Sequence, residues 1–103
     1  MNTLKIGIIQ QANTADRAGN KQRLVQKIEE NGAQLIVLQE LHNGLYFCQT
    51  EEVSVFDQAE SIPGESTEYF GAVARQFGVV LVLSLFERRM AGLYHNTAVV
   101  IEK

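Results

Sequence analysis

With 103 residues, the chain is long enough for one small domain with its own core. Its apolar fraction of 46% and charged fraction of 20% are those of an ordinary soluble globular protein. The formal net charge is −3, and the basic clusters amount to Lys21 with Arg23 and Arg88 with Arg89. Without a basic stripe, neither a nucleic acid nor an anionic membrane surface is an expected partner.

Cys48 is the single cysteine, so no disulfide can form within the chain, which suits a reducing compartment. The first ten residues, MNTLKIGIIQ, hold too short an apolar stretch for a secretory signal and no small-residue cleavage site. The longest apolar run, residues 78–86, is interrupted by Ser84 and is far too short to cross a bilayer. These features predict a cytoplasmic location.

Residues 4–9 form a short apolar run with β-branched side chains and predict a strand. Asp16 is placed to cap a following helix, in which Leu24, Val25 and Ile28 share one face. Gly32, after Asn31, is the expected stop. Residues 35–38 are continuously apolar and too few for a helix, which predicts a buried strand. A strand, helix and strand with short connections favours a parallel pair and a right-handed crossover.

Residues 41–63 have no clean period. They mix Tyr46, Phe47 and Phe56 with Glu51, Glu52, Asp57 and Glu60, and irregular segments of this length are often functional. Pro63 and Gly64 mark a turn. Ser66 or Thr67 is expected to cap a second helix, whose apolar stripe is Phe70, Val73, Ala74 and Phe77. Gly78 ends it. Residues 79–86 predict a central strand, Ala91 and Gly92 a turn, and residues 97–101 a fourth strand. The fold class is therefore α/β, in the order β-α-β-α-β-β.

Ligands of open α/β sheets bind beyond the carboxyl ends of the strands, where Glu40 and Glu87 stand. A carboxylate at position 40, walled by Tyr46 and Phe47, suits a general base; the plainer alternative is a solvated residue at a strand end.

The segment Ala33-Gln34-Leu35-Ile36-Val37-Leu38-Gln39-Glu40-Leu41 resembles the stretch around the catalytic glutamate of the nitrilase superfamily of carbon–nitrogen hydrolases. Three further segments resemble the same family in the same order: Lys5-Ile6-Gly7-Ile8-Ile9-Gln10, then Ile62-Pro63-Gly64 with residues 77–82, then Tyr94-His95-Asn96-Thr97-Ala98-Val99-Val100-Ile101. Together they span essentially the whole chain. Residues 43–49 and 86–89 look most like the branch of N-carbamoylputrescine amidases.

The resemblance implies that residues 1–103 form the N-terminal portion of a four-layer αββα sandwich. It implies a Glu–Lys–Cys triad that hydrolyses a small amide or N-carbamoyl amine through a thioester, without a cofactor or metal, in a homo-oligomer. Glu40 matches the glutamate. The lysine and the nucleophilic cysteine match no residue here, so the chain alone is expected to be inactive. Cys48 falls in the loop near the glutamate, with no positive neighbour or helix N-terminus to activate it, and is read as a packing residue.

Tyr46 and Phe47 are expected to line the substrate pocket, and Glu87 to meet a cationic amine, against plain packing and an ion pair with Arg88 or Arg89. His95 has no partner at metal-ligand spacing and is read as structural. Asn96 is expected to hold a loop by hydrogen bonding. Two other readings compete: a non-catalytic domain that associates with a complete relative, and a nucleotide-binding domain. The latter is disfavoured because residues 10–19 lack a Gly-rich phosphate cradle.

Overall fold

A computed structural model describes residues 3–44, 56 and 58–103. The order is β1 (Ile6–Ile9), α1 (Arg17–Asn31), β2 (Leu35–Leu38), α2 (Glu65–Phe77), β3 (Val80–Met90) and β4 (Leu93–Ile101). This is the mixed α/β succession that the hydrophobic patterning predicts.

The strands form one sheet in the order β1-β2-β3-β4. The first three are parallel, and Ile6, Leu35 and Val80 lie side by side. The fourth runs antiparallel, with Val82 opposite Val100 and Phe86 opposite Asn96.

Helix α1 begins as expected: the carboxylate of Asp16 accepts the N–H of Gly19 at 3.1 Å. It ends at Gly32, whose φ of 72° is a left-handed conformation that a side chain would strain. Helix α2 starts earlier than the sequence suggests, with Gly64 as its cap. Thr67 lies inside the first turn, where its hydroxyl accepts the N–H of Gly64 at 2.7 Å. The Ser66 hydroxyl is turned instead to the Glu60 carboxylate. Glu65 and Glu68 in the first turn and Arg75 in the last complement the helix dipole.

Strands β3 and β4 also extend beyond their apolar stretches. Glu87 pairs with His95 and Arg88 with Tyr94, closing a hairpin over Ala91 and Gly92. The ladder is held there by main-chain bonds, which polar side chains do not interrupt.

Side chains alternate across the sheet. Ile9, Ile36, Leu38, Leu81, Leu83 and Leu85 face the helices and are buried against Leu24, Ile28, Phe70 and Val73. The opposite face carries Ile6, Ile8 and Val100, which are 56%, 78% and 64% exposed. Parallel strands normally have both faces covered, and among the described residues this apolar face is open.

Candidate active site

Glu40 stands two residues beyond the end of β2, in the turn that carries the chain off the sheet. The next residue, Leu41, is buried with a φ of +49°, a conformation that non-glycine residues adopt at a cost of roughly 1 kcal/mol or more. Such a backbone persists where its surroundings hold it, and here they do. Asn13 donates to the carbonyls of His42 and Gly44 at 2.8 and 2.9 Å. The Asn43 amide donates to the Ser66 hydroxyl at 2.8 Å, and Leu41 N–H donates to the Ser84 hydroxyl at 2.9 Å. Gln11 N–H reaches the side-chain oxygen of Gln39 at 2.6 Å. The turn is tied to the segment before α1, to the start of α2 and to β3 at once.

The Glu40 carboxylate itself is exposed. It lies with Ser84 and Asn96 on the open side of the sheet, opposite the helices. Asn96 donates to its Oε1 at 2.5 Å, and the Ser84 hydroxyl donates to Asn96 Oδ1 at 3.3 Å. The hydrogen bond of Asn96 goes to the side chain of the candidate base, where the sequence suggested a loop.

Glu87 does not share this site. Successive residues of β3 point to opposite faces, and Glu87 falls on the helix side, buried, with 5% exposure. Its oxygens accept from Arg89 Nη2 at 3.1 Å, Arg89 Nε at 3.4 Å and the Thr97 hydroxyl at 2.8 Å. The bonds from Arg89 and then Thr97 hold its carboxyl below the usual range, with help from the charges of Arg89 and His95 and against the effect of burial. Of the two partners that the sequence offers, a substrate amine and a neighbouring arginine, the structure supplies Arg89. His95 is part of β4, opposite Glu87. Tyr46, Phe47 and Cys48 lie outside the described residues.

A cleft of about 430 Å³ lies between α1 and the chain entering α2, lined by Arg17, Lys21, Glu60 and Glu65 among others. It does not include Glu40, and its charges are partly paired: Lys21 Nζ is 3.5 Å from Glu65 Oε1.

Sequence reasoning had no access to Ser84 or to the polar clamp of Asn13 and Asn43, joined by Asn20, whose amide donates to the Thr14 carbonyl at 2.8 Å and to that of Asn43 at 3.5 Å. Their common feature, polar side chains beside apolar strands, is too frequent to single them out. His42 was missed for the same reason; it is fully buried beside the Glu40 turn.

Residues 5–103 match the family model described as carbon-nitrogen hydrolase. An N-carbamoylputrescine amidase of Solanum lycopersicum is 35% identical over 77% of this chain and 27% of its own length. A citrullinase of Francisella tularensis is 30% identical over 97% of this chain and 36% of its own. The crystal structure of a carbon-nitrogen hydrolase from Helicobacter pylori G27 superposes with a TM-score of 0.89 at 39% identity, covering 96% of this chain and 35% of that one. The chain thus spans roughly a third of these relatives, and the Glu40 turn falls within the matched region. On the strength of these matches, the chain belongs to the carbon-nitrogen hydrolase family of the nitrilase superfamily.

Proposed function

We propose that the chain supplies the general base of a hydrolase that cleaves the ureido group of a small N-carbamoyl amine, with Glu40 as that base. The observation that carries this reading is the Glu40 carboxylate, set at the carboxyl end of a parallel strand by a strained, many-bonded turn and held, among the described residues, through Oε1. The relatives' names support the substrate class. N-carbamoylputrescine and citrulline both carry a terminal ureido group on an aliphatic chain.

In this reading a cysteine thiol attacks the ureido carbon, and Glu40 takes the thiol proton and returns it to the departing nitrogen. A lysine ammonium stabilises the negative oxygen of the tetrahedral intermediate. Water then releases the carbonyl group, so that N-carbamoylputrescine and water give putrescine, carbon dioxide and ammonia. Tyr46 and Phe47, which lie outside the described residues, are the proposed substrate contacts of this reading. In this reading the thiol and the ammonium match no residue of this sequence. The test is ammonia release from N-carbamoylputrescine and from citrulline, by this chain and by the gene's complete product, each with and without Glu40→Gln.

A second reading has its own observation. The exposed face of Ile6, Ile8 and Val100 fits a domain that associates with a complete relative without turnover. Binding to such a relative with no ammonia from any product of the gene favours that reading.

A further inference from the structure

We propose that Asn96 is a positioning residue for Glu40, and that Ser84 makes it one; the proposal rests on the reading of Glu40 as the base. An asparagine amide presents a donor at one end and an acceptor at the other, and only one orientation serves a carboxylate. Ser84 selects that orientation. Its oxygen accepts the N–H of Leu41, and its single hydroxyl proton goes to Asn96 Oδ1. The Asn96 Nδ2 donor is thereby turned to Glu40 Oε1.

The connections close a ring. Ser84 grips the backbone immediately after Glu40, and Asn96 grips the carboxylate. Both belong to the β3–β4 hairpin, where Asn96 pairs with Phe86, two residues along from Ser84 and on the same face. The flexible side chain of Glu40 is thus fixed at both ends to one rigid ladder, which is how a catalytic group keeps a productive geometry.

The choice of a neutral amide matters chemically. A lysine or arginine at position 96 would hold the carboxylate by pairing with its charge, and an aspartate would repel it. Asparagine holds Oε1 without adding charge. Among the described residues, Oε2 has no hydrogen-bond partner. The structure therefore anchors the carboxylate through Oε1 without a charged partner among the described residues.

The test is steady-state kinetics of the gene's complete product on N-carbamoylputrescine, with Asn96→Ala, Asn96→Asp, Ser84→Ala and Glu40→Gln compared. The expected result is a kcat lowered about tenfold or more in Asn96→Ala, with KM kept within about twofold. Asn96→Asp is expected to be worse than alanine, because it adds repulsion to the lost bond. Ser84→Ala is expected to lie between wild type and Asn96→Ala, and Glu40→Gln to be dead. Asn96 is exposed, so its loss removes no core packing, and a preserved KM reports an intact fold. Unchanged kcat in Asn96→Ala beside a dead Glu40→Gln overturns the positioning role and leaves the base assignment standing. Full activity in Glu40→Gln overturns that assignment and the positioning role with it.

Discussion

The imidazole of His42 stands edge-on to the ring of Phe70, with centroids 5.1 Å apart and planes at 87°. It is fully buried, and among the described residues neither ring nitrogen has a partner in good hydrogen-bond geometry, the neighbouring Asn43 side chain included. Burial first, and then the charges of Lys21 and Arg17, lower its pKa from 6.5 to about 4, against a smaller opposing effect of Asn43. The neutral ring is a wedge that pins the Glu40 turn onto α2.

The sign of the pH dependence follows. The unfolded chain takes up the His42 proton near pH 6.5, and the folded one only near 4. Stability is therefore complete above that window and declines as pH falls through it, by about 3 kcal/mol at most. His42→Phe, which keeps the edge-on ring and removes the proton site, is expected to flatten this slope. Denaturant melts at pH 7 and pH 4.5 check it; an unchanged slope in the variant contradicts it.

Glu60 joins two parts of the fold. Its carboxylate accepts the Ser66 N–H and hydroxyl, each at 2.9 Å, so a negative charge sits at the start of α2. Its backbone meanwhile extends the sheet beside β3, accepting the N–H of Arg88 at 2.8 Å. Glu60→Ala is expected to cost about 1–2 kcal/mol, as the loss of a helix N-cap does. Urea unfolding measures the cost, and a change below about 0.3 kcal/mol contradicts the role.

The helices and the parallel strands were open to sequence reasoning because their signals are local. Asp16 caps α1, Gly32 and Gly78 end the helices in left-handed conformations, and Leu35 to Leu38 stands out as an apolar run. The ends of β3 and β4 were not, because cross-strand pairing of Glu87 with His95 and Arg88 with Tyr94 sets them. Glu40 could be picked out as a carboxylate at a strand end. Its partner Asn96 lies 56 residues away in the chain, and only folding brings the two together.

Glu87 gives a prediction of direction alone. Its folded-state pKa is lowered, so its contribution to stability is present above its ordinary 4.5 and is lost as pH falls through the lowered value. Arg89→Met is expected to raise the Glu87 titration midpoint toward 4.5, and Thr97→Val to raise it less. Carbon-13 NMR of the side-chain carboxyl reads both. A midpoint unmoved in Arg89→Met contradicts the pairing.

The uncovered sheet face is expected to drive association of the 103-residue chain. Ile8, at 78% exposure, is its most open large side chain. Ile8→Lys places a charge there and is expected to shift the chain toward monomer in sedimentation velocity. A wild-type chain that stays monomeric across about a hundredfold range of concentration contradicts the expectation.

The most direct measurement is ammonia release from N-carbamoylputrescine by the gene's complete product and its Glu40→Gln variant, beside this 103-residue chain. The expected result is turnover by the complete product, none by Glu40→Gln and none by the short chain. Turnover that survives Glu40→Gln contradicts the assignment of Glu40 as the base.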